Sequence, residues 1–177
     1  MNIEEFFLKS VGEWHSMRSG HSLAFQEFEE IRSKVKIVPC KVNDTRVIRF
    51  LKDNLITTDA IKKAFLINWE AKSEWGEENK KENSSGKSIL IPIEISKTEG
   101  KIMRSVGYTE AVKLVSTYKI LNDGTLIIYS NYSHICTEER IWFVSNNLRS
   151  RPSVTRAKDS LAILQTSYAS EIRSIKK

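Results

Sequence analysis

The sequence predicts a mostly β protein, built as a closed antiparallel up-and-down β-barrel with a few short helices. From residue 12 onward, polar and apolar side chains alternate in segments, as they do along half-buried strands. Most connections between these segments carry hairpin-turn residues, and helical patterns occur only early in the chain. A small barrel of this kind has an interior that can hold one small ligand.

The helices are predicted from their caps and from apolar spacing. Residues 2–9 form the first helix, with Asn2 as its N-cap, and residues 44–52 form the second, with Asp44 as its cap. Side chains expected to face the core are Phe6 and Phe7 in the first helix and Val47, Ile48 and Leu51 in the second.

The rest of the chain is predicted as consecutive strands. Glu99-Gly100 and Asn122-Asp123-Gly124 are hairpin signals, and Asn146-Asn147 is a weaker one. Without an internal repeat or a low-complexity linker, residues 1–177 are predicted to form a single domain. The predicted strands are 12–19, 22–38, 63–75, 87–95, 101–106, 108–121, 125–133, 135–145, 148–156 and 160–173.

Composition narrows the class of protein. Hydrophobic residues make up 40% and charged residues 28%, which is typical of a globular domain, and no apolar run has the roughly 20 residues of a membrane span. The first ten residues carry acids where a secretory signal carries bases, so a cytosol-like compartment is expected. The net charge of +6 is spread along the chain, which disfavours nucleic-acid binding and suits an acidic protein partner or an anionic ligand.

Known catalytic and metal-binding patterns are missing from the sequence. The two cysteines and three histidines have no metal-ligand spacing, so a metal site is not expected. There is also no serine–histidine–acid set and no glycine-rich phosphate loop. Any catalysis is therefore expected to depend on binding and orientation, assisted by an acid or a base.

Strand 63–75 has an aromatic face that should point inward. Phe65, Ile67, Trp69 and Trp75 share this face, and the two tryptophans form a wide apolar wall suited to a flat conjugated ligand. Taken alone, the strand fits a packed core better, because large aromatic side chains are usually buried for packing.

Glu139 lies on the apolar face of strand 135–145, together with Ile141 and Phe143. A buried carboxylate is costly unless it is paired. Two interpretations stay open: Glu139 binds a buried arginine, or it meets a cationic or N–H-bearing ligand.

Arg149 and Arg151 alternate on strand 148–156, on the same face as Ser153. Two guanidinium groups at this spacing can clamp carboxylates, although a solvated basic stripe is the better interpretation of this strand alone. The sequence does not determine which face of strand 148–156 points to the core. On the last strand, Glu171 is expected to share the face of Leu161, Ile163 and Ala169. Near the start of the chain, Arg18 follows Trp14.

Several motifs together resemble one known family. These are MNIEEFF, GEWHSMRSGHSLAF, NWEAKSEW, GYTEAVKLVSTYKILNDGTL, TEERIWFVSNNLRSRPSV and SEIRS. The sequence is similar, nearly from end to end, to the S-type (CpeS/CpcS) phycobiliprotein chromophore lyases of cyanobacteria and related plastids. The set EERIWF, NLRSR and SEIR is the most specific part.

The resemblance implies a lipocalin-like barrel that has no cofactor of its own and binds a phycobilin, phycoerythrobilin or phycocyanobilin, as substrate. It implies attachment of the bilin, through a thioether, to a cysteine of an apo-phycobiliprotein subunit. Phycoerythrobilin and phycoerythrin β are favoured, since the lysine- and asparagine-rich composition fits a source that uses phycoerythrin. The further expectations are a bilin reductase as the donor of the bilin, a homodimer as the assembly, and the cytoplasm or plastid stroma as the location. The alternative is a bilin carrier that does not catalyse transfer.

The resemblance also assigns roles to residues. Arg149 and Arg151 would hold the propionates, and Glu139 and Glu171 would lie near the pyrrole nitrogens. Glu139 is favoured as the general acid, because its apolar neighbours should raise its pKa. The remaining bilin-binding positions are Trp69 and Trp75, which would stack on the rings, Arg18 and Ser153 as polar contacts, and Ile67, which would influence the choice of bilin.

Overall fold

A computed structural model describes residues 1–56, 61–73, 83–105 and 114–175. Within these ranges the chain forms ten strands and two helices, and the strands close into an antiparallel barrel. The helices are α1 (Ile3–Ser10) and α2 (Thr45–Asp53), and the strands are β1 (Gly12–Ser22), β2 (Glu27–Cys40), β3 (Ala64–Ser73), β4 (Asn83–Glu94), β5 (Glu99–Arg104), β6 (Leu114–Ile120), β7 (Leu126–Asn131), β8 (Ile135–Ser145), β9 (Leu148–Ala157) and β10 (Ile163–Arg173).

The order of strands around the barrel follows the chain, and β10 pairs with β1 to close it. This confirms the predicted mostly β, up-and-down barrel. The predicted strand ends at 74–75 and 106–113 lie outside the described residues. Neither described helix has the length and apolar character needed to cross a membrane.

The face predicted for the first residues of the last strand, β10, is wrong. A bulge between Ile163 and Gln165 shifts the alternation at the start of β10, so Ile163 is 40% exposed and does not share the face of Glu171. Leu161 precedes the strand and is also exposed. Of the three apolar residues expected on the face of Glu171, Ala169 is the one that is buried there.

Helix α1 begins with a capping box. The Asn2 side chain accepts from the backbone N–H of Glu5 at 2.9 Å, and the Glu5 carboxylate accepts from the Asn2 backbone N–H at 2.9 Å. The cap confirms Asn2 as the predicted N-terminus of the helix.

Helix α1 closes one end of the barrel. Phe6 is 5.2 Å from Phe143 at the end of β8, and Phe7 is 5.3 Å from Phe65 at the start of β3, measured between ring centroids. These strand ends lie at the same end of the barrel, because the strands alternate in direction. We call this end, covered by the buried Phe6 and Phe7, the closed end, and we call the opposite one the open end, a name that refers to the described residues alone.

Helix α2 packs on the outside of the barrel. Val47, Phe50 and Leu51 are buried against outward-facing apolar residues of the sheet, such as Ile91. Ile48, predicted to face this core, is 43% exposed, while Phe50 takes the buried position. Asp44 caps the helix as predicted, accepting from the Arg46 backbone N–H at 2.9 Å.

Candidate functional site

Five charged side chains lie inside the barrel above helix α1. We call them the charged layer: Arg104 from β5, Glu139 from β8, Arg149 and Arg151 from β9, and Glu171 from β10. Arg149 is 4% exposed and Glu171 is 2% exposed. Charged groups at this depth destabilise a fold unless they are paired.

The charged layer is held together by ion pairs. Arg149 Nε donates to Glu171 Oε2, and Arg151 Nε donates to Glu139 Oε1. Arg151 Nη1 also lies 3.8 Å from Glu171 Oε1, and Arg104 Nη2 lies 3.9 Å from Glu139 Oε2. Arg151 therefore bridges the two carboxylates, and Glu139 lies between two guanidinium groups.

Strand pairing explains why the arginines of β9 point inward. Arg149 pairs with Phe143 of β8 on one side and with Glu171 of β10 on the other, and paired residues share a face of the sheet. Arg151 follows at the next inward position, opposite the buried Ala169. The face that the sequence left open is thus the interior one.

A cavity lies between the charged layer and the apolar floor. Its free space is about 50 Å³. Pockets for drug-sized ligands have about 300 Å³ or more, so this cavity by itself is too small for a ligand of that size. Among the lining residues are Phe6, Phe7, Ile67, Trp69, Arg104 and Arg149.

The indole of Trp69 lies over a glycine of the neighbouring strand. Trp69 pairs with Gly86 of β4, and a Cβ built on Gly86 would overlap ring atoms of Trp69. The absence of a side chain at Gly86 allows the ring to rest against the β4 backbone. Gly86 therefore fixes the position of the aromatic wall.

Trp14 connects the floor to the charged layer. The guanidinium carbon of Arg149 lies 4.4 Å from the centroid of the Trp14 ring, and that of Arg173 lies 4.3 Å from it. Trp14 Nε1 donates to the Ser10 carbonyl, the last residue of α1, at 2.8 Å. The cation–π contact with Trp14 helps to hold the Arg149 side chain in place.

Toward the open end, hydroxyl groups replace the apolar side chains of the floor. The Oγ atoms of Ser116 and Ser130 are 2.7 Å apart. Thr137 and Thr155, on β8 and β9, form a second pair at 3.0 Å. The interior is therefore apolar at the closed end, charged in its middle part and hydroxyl-lined toward the open end. Within the described residues, no group of three or more histidine, cysteine or acidic side chains could hold a metal ion.

Comparisons with known proteins point to one family. The family model described as CpeS-like protein matches residues 2–174. The chain belongs to the CpeS-like protein family. It is therefore a lyase, and its relatives in the family carry lyase names.

Among these relatives, chromophore lyase CpcS/CpeS 3 of Trichodesmium erythraeum is 39% identical over 98% of this chain and 100% of its own length. A putative phycoerythrobilin lyase, CpeS of Microchaete diplosiphon, is 33% identical over 84% of this chain and 66% of its own length. The solved structure of the S-type phycobiliprotein lyase CPES from Guillardia theta has a TM-score of 0.85, with 29% identity, 100% of this chain and 95% of that chain covered.

The CpeS-like chain brings most of the predicted site residues together. Ile67, Trp69, Arg149 and Arg151 line the cavity, and Glu139 and Glu171 are bound to the two arginines. Trp75 lies outside the described residues.

Two predicted residues lie away from the charged layer, toward the open end. Ser153 Oγ is 2.8 Å from Ser167 Oγ. The Arg18 side chain is 37% exposed, and its Nη2 atom lies 3.9 Å from Glu29 Oε2.

Sequence reasoning missed Arg104 and the part that α1 plays in the cavity. On β5, Gly100, Ile102 and Arg104 alternate on one face, and Ile102 is fully buried. This alternation places Arg104 inward, so the signal was present in the sequence. The contribution of Phe6 and Phe7 to the cavity floor follows only from the path of the chain across the barrel end.

The expected pKa of Glu139 is wrong in direction. Burial raises the pKa of this carboxyl, but the Arg151 guanidinium, with Arg104 and Arg149 further away, outweighs burial and holds the pKa below its ordinary value. The apolar neighbours that motivated the expectation are present, but Glu139 also binds Arg151 inside the barrel, which is one of the two interpretations that the sequence left open. Glu139 is thus ionised in the ligand-free protein.

This ionisation predicts how acid affects stability. Because the folded-state pKa of Glu139 is lowered, its contribution to the free energy of unfolding is complete above the ordinary pKa of 4.5 and is lost as pH falls through the folded-state value. Glu139→Gln should be less stable than the original chain at neutral pH, and the difference should shrink as pH falls below that range. Urea denaturation at several pH values measures this difference, and a gap that stays constant down to acid pH would contradict the prediction.

Gly86→Ala is expected to displace Trp69. The added methyl group overlaps the indole, so the ring must move into the cavity, at a cost of about 1–3 kcal/mol in the free energy of unfolding. Tryptophan fluorescence and near-UV circular dichroism should both change. Ser85→Ala, at the neighbouring exposed position, is the control and should leave the spectra unaltered.

Proposed function

We propose that this chain binds phycoerythrobilin non-covalently inside the barrel and promotes its thioether attachment to a cysteine of an apo-phycobiliprotein subunit, phycoerythrin β. The observation that carries the proposal is the charged layer, in which buried arginines and carboxylates lie beside the Trp69 wall. The names of the relatives, which include chromophore lyases and a putative phycoerythrobilin lyase, support it.

The charged layer matches the chemistry of an open-chain tetrapyrrole. Such a molecule carries two propionates, which guanidinium groups bind in a bidentate manner. It also carries pyrrole N–H groups, which donate hydrogen bonds to carboxylates. In the ligand-free protein, Arg149 and Arg151 already hold Glu171 and Glu139. Bilin binding therefore exchanges partners: the propionates take the arginines, and the carboxylates turn to the pyrrole nitrogens.

This exchange also accounts for the small cavity. With both ion pairs formed, the free space is about 50 Å³, and separating the pairs lets the side chains withdraw toward the wall. Ile67 and Trp69 line the same cavity and contact the rings in this arrangement. Arg18, Ser153 and, outside the described residues, Trp75 complete the proposed contacts.

Catalysis in this proposal depends on positioning. The barrel holds the A ring toward the open end, and the thiolate of the partner adds to the ring substituent, so that one C–S bond forms and one C=C bond becomes single. Holding the two reactants in place can lower the barrier by several kcal/mol, about 7 or more in favourable cases. The ring carbon then takes up a proton, for which Glu139 and Glu171 are the proposed donors.

Bilin binding should increase the fraction of Glu139 that carries a proton. Its pKa is low in the free protein largely because of Arg151. Once a propionate occupies that guanidinium, the stabilisation of the carboxylate weakens, and its pKa rises toward the range of a useful proton donor.

The net charge of +6 suits an encounter with an acidic antenna subunit. The rate of association between the two proteins should then fall as the salt concentration rises. The cytoplasm of a cyanobacterium, or a plastid stroma, is the proposed location, and a bilin reductase the proposed donor. A homodimer is the proposed assembly.

Reconstitution tests the function. The purified chain, phycoerythrobilin and apo-phycoerythrin β are combined, and a denaturing gel is read for zinc-enhanced bilin fluorescence. A fluorescent β band well above the reaction without this chain, with the absorbance of the native product, supports the lyase. Uptake of pigment without a band would indicate a carrier that does not catalyse transfer, and a chain that takes up no bilin would contradict the binding site.

A further inference from the structure

Ser88 places a hydroxyl group in the wall of the cavity. It is 6% exposed and lies on β4, paired with Ile67 of β3, and both residues line the cavity. Within the described residues, the only other hydroxyl group in the lining is that of Ser10, at the end of α1. Most of the remaining lining residues are apolar or aromatic. A polar group in such surroundings is costly unless it forms a good hydrogen bond.

The two hydroxyl groups of the lining differ in how well they are bonded. Ser10 Oγ donates to the carbonyl oxygen of Phe6 at 2.9 Å, which is a normal length. Ser88 Oγ lies 3.3 Å from the carbonyl oxygen of Ile89, which already accepts from the backbone N–H of Ser105 at 3.0 Å. Strong O–H···O bonds are about 2.5–3.0 Å long, so the Ser88 contact is weak. The ligand-free protein therefore buries this donor with little compensation.

The proposed function determines which part of a pigment would meet the Ser88 hydroxyl. The two propionates of an open-chain tetrapyrrole are on its central rings, and both terminal rings are lactams with a carbonyl oxygen. With the A ring toward the open end and the propionates at the charged layer, the other terminal ring lies between that layer and α1. The cavity that Ser88 lines is in this position. A lactam carbonyl there is an acceptor that the hydroxyl lacks in the free protein.

We propose that the Ser88 hydroxyl donates a hydrogen bond to the lactam carbonyl of the innermost ring of a bound bilin, an inference that rests on the proposed function. This bond sets the depth at which the pigment lies in the barrel, and it thereby helps to hold the A ring near the open end. The fold loses little when the hydroxyl is removed, because its contact with Ile89 is weak. The hydroxyl therefore serves binding and not the stability of the fold.

Two variants separate the hydroxyl of Ser88 from the size of its side chain. Ser88→Thr and Ser88→Val have nearly equal volumes and differ by one hydroxyl group, so a clash of the added methyl group is common to both. Phycoerythrobilin binding is measured by absorbance titration, and Ser88→Val should bind about 3- to 10-fold more weakly than Ser88→Thr, as expected for one hydrogen bond. The infrared stretch of the bound lactam carbonyl should lie at higher frequency in Ser88→Val, because a hydrogen bond lowers that frequency.

The alanine variants of Ser88 and Ser10 form a matched pair. Ser88→Ala should weaken phycoerythrobilin binding about 3- to 10-fold and should not lower the midpoint of urea denaturation. Ser10→Ala removes a hydroxyl from the same cavity that is already well bonded within the protein, so affinity should stay within about 2-fold. Ser85→Ala, on the same strand as Ser88 but exposed, should alter neither affinity nor stability.

Equal affinities of Ser88→Thr and Ser88→Val would overturn the inference, and so would a carbonyl stretch that is the same in both. A lower urea midpoint for Ser88→Ala with unchanged affinity would assign the hydroxyl a structural role and would overturn it as well. All of these results leave pigment uptake by the original chain intact. An original chain that takes up no bilin would instead contradict the proposed function itself.

Discussion

Replacing Arg149 with alanine is expected to abolish bilin transfer and to lower the stability of the barrel. Glu171 is 2% exposed and would lose its hydrogen-bonded partner; among the described residues it would keep Arg151, whose Nη1 lies 3.8 Å from Oε1. Removing one member of a buried ion pair costs about 3–5 kcal/mol in the free energy of unfolding. Urea denaturation measures that loss, and the reconstitution with limiting phycoerythrobilin should show transfer reduced by about 100-fold or more, equivalent to about 3 kcal/mol.

Two further variants separate binding from folding. Arg149→Met combined with Glu171→Leu replaces the ion pair with apolar side chains, so stability should recover while bilin transfer stays absent. Arg140→Ala removes an exposed arginine that is paired with Glu138, and it should change stability by less than about 1 kcal/mol. Full transfer by Arg149→Ala would refute the role assigned to this residue.

Phe6→Ala should produce the second large effect, on the floor of the barrel. Phe6 is 1% exposed and packs against Phe7 and Phe143, so its truncation should cost about 3–5 kcal/mol in the free energy of unfolding. The lost ring also opens the cavity toward the closed end. Thermal unfolding would measure the loss of stability, and the uptake of an apolar fluorescent dye would measure the opening of the cavity.

Leu8→Ala is the matched control for Phe6→Ala. Leu8 is on the same helix but is 42% exposed, so its truncation should cost far less stability. Similar losses for the two variants would mean that α1 is stabilised by its own helix formation and not by packing into the barrel.

Much of the fold could be predicted because local and long-range signals agree. Asn122-Asp123-Gly124 forms the turn between β6 and β7, and Gly124 has a φ of 85°, which glycine adopts without strain. The alternation on β3 correctly placed Ile67 and Trp69 inside, because one register puts the aromatic residues of this strand on the interior face.

The site was harder to predict, since its properties depend on residues from distant strands. The face of β9 that carries Arg149 and Arg151 has no large apolar residue, so polarity does not mark it as the interior face. Only pairing with Phe143 and Glu171 determines that Arg149 points inward. The pKa of Glu139 depends on Arg104 and Arg151, which lie on two other strands. The bulge at Ile163 has no sequence marker, and it reverses the expected face of that residue.

The helix that covers the closed end has a kinetic consequence. Because Phe6 and Phe7 close that end, the proposed function requires pigment and acceptor protein to approach the barrel from the same side. An acceptor that docks on an empty barrel would block loading, so the pigment must come first and the acceptor second. Ordered addition of this kind makes the acceptor inhibitory when it is in excess over the pigment, and the yield of attached chromophore would then depend on the ratio of the two supplies.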